Sequence, residues 1–392
     1  MLASLALIFL TGMLLGFVFT RLRLPSLLGM LLAGILLGPY ALNLVDVSIQ
    51  AISAPLRQIA LVIILVRAGL SLQVSDLKRV GRPAVFMCFV PACFEIMGVV
   101  ALAPGLLGVS VLEAAILGSV LAAVSPAVVV PRMLRLMEEG YGAEKGIPQL
   151  IMAGASVDDV FVIVLFTSFT SLAEGGAVSF LQFTEIPAAI LLGSLAGLGL
   201  GWLLSAFLKR VHIRDSLKVL ILISLAFLLV AAEAWLKPLA PFSGLLAAMA
   251  AGIAILRFYP ALAERLSAKF SKLWVAAEIL LFVLVGATVD IGYAASAGAA
   301  VLLLLVALLF RMAGVWVCML CTPLNGRERL FCMVAYIPKA TVQAAIGGIP
   351  LSMGLPCGNL VFTVAVLSIL ITAPLGAFGI DLLYAKCLEK KD

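Results

Sequence analysis

The chain alternates long apolar runs with short segments that contain charged residues, glycine and proline. Thirteen apolar runs stand out, and most approach the length of about 20 residues that a helix needs to cross a bilayer. They lie at 2–20, 26–40, 55–72, 84–104, 108–131, 149–171, 183–208, 217–236, 242–257, 273–290, 296–322, 329–352 and 357–380. The pattern predicts an all-α polytopic membrane protein with 13 transmembrane helices.

Composition supports the same class. The 392 residues are 64% hydrophobic and 12% charged, whereas soluble domains are about half apolar and a quarter charged. These proportions exclude a soluble globular protein, a disordered chain and a nucleic-acid-binding protein. The expected surroundings are a lipid bilayer, and we expect no nucleic-acid partner.

Basic residues are distributed unequally between the predicted loops. With thirteen spans, 21 of the 26 lysines and arginines fall on the side of the C-terminus, and only Arg57 and Lys237 on the opposite side. Arg67, Arg311 and Lys339 lie within spans. Because cytoplasmic loops are enriched in basic residues, the N-terminus is expected outside and the C-terminus, including a tail at 381–392, in the cytoplasm.

Two sequence patterns recur in the second half of the chain. "PSLLGMLLAGILLG" from Pro25 resembles "PFSGLLAAMAAGIAI" from Pro241, 216 positions later, and "LVRAGL" from Leu65 resembles "LVGATV" from Leu284, 219 positions later. The nearly equal offsets place spans 1–6 over spans 8–13, with span 7 as a linker. Because seven is odd, the second copy would cross the membrane in the opposite sense, which is the inverted repeat of many secondary transporters.

Two equivalent spans contain helix-breaking residues. Span 5 contains "AVSPAVVVP" with Pro126, and span 12 contains "IPKATVQAAIGGIP" with Pro338. Proline removes a backbone donor and clashes with the preceding turn, and unpaired backbone at membrane depth is tolerated only where it is buried or lines a polar cavity. A simple proline kink would explain either span alone. Their equivalent positions in the two repeats favour a crossed pair of half-helices.

Five ionisable residues lie deep within spans: Glu95, Asp158, Asp159, Arg311 and Lys339. Each costs on the order of 2.5–3.5 kcal/mol to insert, so a charge at this depth indicates a functional site. Three carboxylates against two cations leave one negative charge over. A site with one spare carboxylate can hold either a proton or a small cation, which is the minimum chemistry for exchange.

The motifs "GASVDDV" from Gly154, "AAVSPAVVVP" from Ala122 and "IPKATVQAAIG" from Ile337 resemble the sodium/proton antiporters of the monovalent cation:proton antiporter superfamily, in particular its NHA branch. The resemblance covers nearly the whole chain. It implies an NhaA-like antiporter fold, a homodimer and an elevator-type mechanism. The domains it implies are scaffold and dimerisation helices at 1–72 and 217–290, core ion-translocation helices at 84–171 and 296–380, and a linker helix at 183–208.

The resemblance also implies roles for individual residues. Asp159 matches the aspartate that carries the ion and the proton, and Asp158 its structural neighbour. Related electrogenic antiporters have a lysine where this chain has Arg311, which leaves electrogenicity open because arginine in practice keeps its charge.

Further partners are expected from position. Glu95 should pair with Arg311, its equivalent in the other repeat. Lys339 is then expected to pair with Asp158. The hydroxyl of Ser125 or Thr341 and the backbone carbonyls freed at the broken helices, one of which is broken at Pro126, are candidate sodium ligands beside Asp159, because hard cations prefer oxygen. Sodium would be held only transiently, as cargo, and we expect no cofactor.

Other functions compete with exchange of small monovalent cations. An intramembrane aspartyl protease would need a GxGD motif, which the sequence lacks, and a prenyltransferase would need its carboxylates near the membrane surface. We therefore expect a transporter and not an enzyme. A sodium-coupled symporter of an organic anion on the same fold and an ion channel are the alternatives. The expected location is a bacterial inner membrane.

Overall fold

The structure, a computed structural model, describes residues 1–71, 81–174, 182–211, 213–236, 242–289 and 298–390. These residues form helices and connecting turns. The helices are α1 Leu2–Arg21, α2 Ser26–Leu37, α3 Val47–Ala51, α4 Ser53–Ser71, α5 Arg82–Met87, α6 Val90–Leu107, α7 Val111–Leu121, α8 Pro126–Glu138, α9 Ile147–Glu174, α10 Gln182–Arg210, α11 Asp215–Leu236, α12 Gly244–Phe258, α13 Pro260–Ala287, α14 Gly298–Cys318, α15 Gly326–Ala335, α16 Thr341–Ile346, α17 Ile349–Ser352 and α18 Gly358–Cys387.

Length and hydropathy make the protein a multi-pass membrane protein. Within the described residues, ten helical segments are long and apolar enough to cross a membrane, and α2 and α12 are shorter apolar helices. Helices α13 and α18 extend beyond the predicted apolar runs. The span expected at 273–290 belongs to α13, which begins at Pro260, so the basic residues Arg265, Lys269 and Lys272 lie on a helix and not in a loop. The expected tail begins within α18, which continues to Cys387.

Some predictions fall outside the described residues. The predicted spans 55–72, 273–290 and 296–322 each have one end there, at Leu72, at Asp290 and at residue 296. Lys78, Arg79, Lys237 and Lys391, which contributed to the count of basic residues, lie there as well.

The residues form two compact units, and the larger comprises Met1–Ala54, Gln73–Thr170 and Leu281–Asp392. In this unit α1 packs on α2, α6 on both α7 and α14, and α15 on α18. Buried side chains from α5, α8, α15 and α18 share one apolar cluster, which includes Met87, Met133, Phe331 and Ile380. All five deep ionisable residues belong to this unit.

The smaller unit comprises Pro55–Leu72 and Ser171–Leu280. In it α12 packs against α10 and α11. The start of α12 is capped from two directions, because the Glu233 carboxylate accepts the Gly244 N–H at 2.8 Å and the Ser243 hydroxyl accepts the Leu246 N–H at 3.4 Å. Such capping satisfies backbone donors that a helix start leaves unpaired.

Candidate functional site

Helices α6 and α14 bring the first two charges together. A glycine follows the charged residue by three positions on each helix, Gly98 after Glu95 and Gly314 after Arg311. A Cβ at Gly98 would lie 2.6 Å from the Phe310 ring, and one at Gly314 would lie 2.8 Å from the Pro91 backbone. The missing side chains therefore permit the close packing that sets Arg311 Nη1 3.0 Å from Glu95 Oε2.

Lys339 contacts Glu95, and the predicted pairing of Lys339 with Asp158 was wrong. Its ammonium lies 2.7 Å from one oxygen of Glu95 and 2.8 Å from the other. The reason is that Lys339 lies in the interruption between α15 and α16, where its ammonium reaches Glu95 and also donates to the Leu121 carbonyl at the end of α7.

Arg311 has two carboxylate partners. Its Nη2 donates to Asp158 Oδ2 at 2.8 Å, while its Nη1 donates to Glu95. Its Nε donates to the Tyr336 carbonyl at 2.8 Å. The planar guanidinium has five donors in a fixed fork, which suits it to this bridging role. We call Glu95, Asp158, Arg311 and Lys339 the charge network; its four side chains are at most 1% exposed and their formal charges cancel.

Two interrupted helices meet at the charge network. One interruption separates α7 from α8 at residues 122–125, and the other separates α15 from α16 at residues 336–340. They contact each other directly, because the Ser125 N–H donates to the Pro338 carbonyl at 2.8 Å.

The half-helices begin at residues suited to a helix start. Pro126 is the first residue of α8, a position where the backbone N–H has no partner within the helix. Both leading half-helices, α7 and α15, begin with a capping box, formed by Ser110 with Glu113 and by Asn325 with Glu328.

The backbone at the end of α7 is already occupied. The carbonyls of Leu121 and Ala122 accept hydrogen bonds from Lys339 and Arg311, and the Val124 N–H donates to Asp158 Oδ2 at 2.8 Å. The expectation that freed carbonyls at this interruption would bind sodium therefore finds no support, since a cation there would share its ligands with two cationic side chains.

Three residues near the interruptions have buried side-chain oxygens and form no ion pair in the described part of the chain. A buried oxygen without a hydrogen bond is not unique to them, because Oδ1 of Asp158 also lacks one, but Asp158 is paired with Arg311 through its other oxygen. The Oδ1 of Asp159, the hydroxyl of Ser125 and the hydroxyl of Thr341 are buried, and none has a hydrogen-bond partner among the described residues. Ser125 directly follows Val124, and Asp159 directly follows Asp158, so the Val124–Asp158 hydrogen bond links the two segments. We call Asp159, Ser125 and Thr341 the free-oxygen set.

Gln343 was missed by the sequence reasoning. This α16 residue is 1% exposed, and its Nε2 lies 3.1, 3.3 and 2.9 Å from the carbonyl oxygens of Val120, Leu121 and Ala123. A survey of charged residues cannot find a neutral amide. Its position one turn after Lys339 in "PKATVQ" was the available signal.

Interrupted membrane helices around buried carboxylates are typical of secondary transporters. Comparison with known proteins identifies the family. The family described as "Sodium/hydrogen exchanger, transmembrane" matches residues 5–386, and the chain belongs to it. The resemblance to sodium/proton antiporters of the monovalent cation:proton antiporter superfamily is confirmed.

Similar proteins are found in animals and archaea. Sodium/hydrogen exchanger 9B2 of Mus musculus is 36% identical over 384 residues, which cover 94% of this chain and 69% of that protein. The Homo sapiens protein of the same name is 35% identical and is covered to 70%. Among solved structures, the sodium proton antiporter MjNhaP1 from Methanocaldococcus jannaschii at pH 8 superposes with a TM-score of 0.85 at 19% identity. That match covers 98% of this chain and 97% of MjNhaP1, and shows a shared fold.

Proposed function

We propose that the protein exchanges sodium or lithium for protons across a membrane, with Asp159 as the residue that carries either ion. The observation that supports this assignment most directly is the contrast between Asp159 and the neutral charge network beside it. Among the described residues no ion pair includes Asp159, and its buried Oδ1 lacks a hydrogen-bond partner. Asp159 is therefore the deep carboxylate left to bind a transported ion.

Competition between the two ions would produce exchange. A protonated carboxyl cannot bind sodium as an anion, and a carboxylate that holds sodium cannot accept a proton. The hydroxyls of Ser125 and Thr341 are proposed as further sodium ligands, since sodium prefers oxygen and both are buried without partners in the described part of the chain. Sodium is cargo here and not a resident metal.

The same competition would suppress leak. With either ion bound, Asp159 and the charge network together are neutral. The empty form has a net negative charge, which costs several kcal/mol to expose to the low-dielectric interior of a bilayer. The loaded forms would therefore cross and the empty form would be held back, without a separate gate.

For the movement itself we propose elevator-type alternating access between two inverted six-helix repeats. Among the described residues, the ten long helical segments, the two shorter apolar helices and the interrupted α15–α17 support a count of thirteen crossings. The equivalent placement of Glu95 with Gly98 and Arg311 with Gly314, and the capping box at the start of both α7 and α15, support the repeat. In this proposal 84–171 and 296–380 move, and 1–72 and 217–290 form the scaffold.

Orientation and assembly belong to the same proposal. The bias of basic residues supports an external N-terminus and a cytoplasmic C-terminus. A homodimer and a location in a bacterial inner membrane stay predictions from the resemblance.

Flux through the purified protein in liposomes tests the function. Vesicles with an acidic interior and a trapped fluorescent pH indicator should lose protons when sodium or lithium is added outside, with no organic solute present. Proton movement that requires an organic anion would support the symporter instead. Sodium flux that continues without any proton movement would indicate a channel.

A further inference from the structure

We propose that Gln343 is a positioning residue for the ion site: it holds the Ala122–Ser125 interruption in the shape that presents Ser125 and the Val124 N–H to the aspartates. The inference rests on the proposed function for its transport readouts. Its structural part rests on the hydrogen bonds of Gln343 alone. Within the described residues, Gln343 forms hydrogen bonds only with backbone carbonyls. It would therefore act on the ion site through that backbone.

The first step is the orientation of the amide. Three carbonyl oxygens lie within 3.3 Å of one terminal atom of Gln343. That atom has to be the NH₂ group, because an amide oxygen facing three carbonyl oxygens would have no donor between them. The side chain therefore delivers its donors to the carboxyl end of α7, where the last carbonyls of a helix have no intrahelical partner.

The second step is the peptide group that joins Ala123 to Val124. Its carbonyl accepts from Gln343 Nε2 at 2.9 Å, and its N–H donates to Asp158 Oδ2 at 2.8 Å. One peptide plane is thus fixed at both ends, by an α16 amide and by an α9 carboxylate. Successive hydrogen bonds of this kind polarise and strengthen one another. The next residue, Ser125, is held through its N–H by Pro338, so its unpartnered hydroxyl is set by this clamped backbone.

The third step is the cost of having glutamine here. Its Oε1 is buried and has no hydrogen-bond partner among the described residues. An unsatisfied buried polar group is expensive and calls for an explanation. A leucine of similar size would avoid that cost, so the amide is explained by what its nitrogen does. Neighbouring carbonyls are held by Arg311 and Lys339, whereas Gln343 holds carbonyls without adding a charge beside the site.

Gln343→Leu is the principal test, with sodium-dependent proton release measured in liposomes. The apparent KM for sodium should rise about tenfold, the factor that corresponds to roughly 1.4 kcal/mol, because the ligands are no longer preset. The maximal rate should stay within about twofold, because the ion-carrying carboxylate of Asp159 is intact. Ser119→Ala is the matched control, since Ser119 is equally buried on α7 but its hydroxyl bonds only within its own helix; its KM should equal that of the wild type.

Gln343→Glu gives a second readout that a purely structural role would not produce. A protonated glutamic acid can still donate one hydrogen bond to the carbonyls, whereas the ionised form donates none and is repelled by them. The ratio of the sodium KM of this variant to that of the wild type at the same pH should be near one at pH 5.5 and should increase up to pH 8. If Gln343→Leu cannot be purified, the pH dependence of the sodium KM of Gln343→Glu tests the positioning role instead.

Amide hydrogen exchange separates this inference from the proposed function. Peptides covering residues 120–126 should lose protection in Gln343→Leu, because the Ala123–Val124 peptide is released, while Ser119→Ala should keep it. A wild-type protein without sodium/proton exchange would refute the function and leave this measurement valid. Unchanged protection together with an unchanged KM, or a fall in maximal rate and melting temperature at constant KM, would overturn the positioning role.

Discussion

The charge network and the free-oxygen set meet at the neighbouring residues Asp158 and Asp159, and they differ in their ion pairs. The carboxylates of Glu95 and Asp158 each have at least one oxygen engaged by a cation, at 2.7–3.0 Å. Asp159, adjacent to Asp158, has a buried oxygen without any partner among the described residues, as have Ser125 and Thr341. Under the proposed function, the difference assigns the neutralisation of buried charge and the binding of transported ions to separate residues.

The sharpest way to break this comparison is Asp159→Asn. The amide resembles the protonated carboxyl, so the variant should fold normally and lose sodium-dependent proton release entirely. In the wild type, a higher proton concentration should raise the apparent sodium KM, because the two ions compete. Asp381→Asn, which alters a partly exposed pair with Arg132, is the control and should exchange normally. Full exchange by purified Asp159→Asn would remove Asp159 from the mechanism.

Within the charge network, the number of partners should set the size of the effect on stability. Arg311→Gln leaves Asp158 without its cation and Glu95 with Lys339 alone, whereas Lys339→Gln leaves Glu95 still paired with Arg311. Loss of a buried partner costs about 3–5 kcal/mol because the remaining charge is uncompensated. We expect Arg311→Gln to reach this range and Lys339→Gln to fall below it. The free energy of unfolding of each purified variant measures these effects. A larger loss in Lys339→Gln than in Arg311→Gln would contradict the assigned contacts.

Restoring neutrality refines the same test. Glu95→Gln combined with Lys339→Gln removes one negative and one positive charge and leaves the Arg311–Asp158 pair. The double variant should therefore be more stable than Glu95→Gln alone. A double variant no more stable than the worse single one would show that Glu95 and Lys339 are not coupled.

Ser125→Ala and Thr341→Ala probe the other side of the comparison. Neither hydroxyl has a partner among the described residues, so their loss should leave the melting temperature nearly unchanged. As sodium ligands they should each raise the apparent sodium KM roughly threefold to tenfold, in line with a lost hydrogen-bond-strength contact. Ser368→Ala, at a buried hydroxyl that bonds within its own helix, is the matched control. Unchanged KM in both variants would remove the hydroxyls from the site.

The smallest effect is expected at an ion pair outside the predicted spans. The hydrogen bond from Lys145 to Glu328 raises the pKa of Lys145 above its ordinary value. A raised lysine pKa contributes stability that is fully present below about pH 10 and is lost as pH rises above that value. The effect of Lys145→Met on stability should therefore be small and constant between pH 6 and pH 8. A changed pH profile of transport in this variant would place part of the pH response outside the buried site.

The sequence predicted the ingredients of the site better than their contacts. Charged residues are costly within apolar spans, and this identified five candidates: Glu95, Asp158, Asp159, Arg311 and Lys339. The prolines Pro126 and Pro338 predicted where the two helices are interrupted. Charge alone does not determine which cation meets which carboxylate. Lys339 was assigned to the wrong partner because that choice depends on how the interruption after α15 approaches α7.

Other misses have equally local causes. The start of α13 at Pro260 was missed because charged residues on an extended membrane helix look like a loop when only apolar runs are followed. Gln343 was missed because a neutral amide contributes nothing to a count of charges. The hydrogen bonds that the carbonyls at the end of α7 accept were not foreseen, because their donors come from distant parts of the chain.

The permanent charge of Arg311 has a consequence for energetics. A guanidinium cannot give up its proton in a protein, and the Lys339 ammonium is held between both oxygens of Glu95. Under the proposed mechanism the exchangeable carboxylate is then Asp159 alone, and each cycle would trade one monovalent cation for one proton. Such a cycle moves no net charge, so the membrane voltage would do no work on it. The direction of transport would follow the two concentration gradients. Transport would stop when the ratio of sodium concentrations across the membrane equals the ratio of proton concentrations, whatever the voltage.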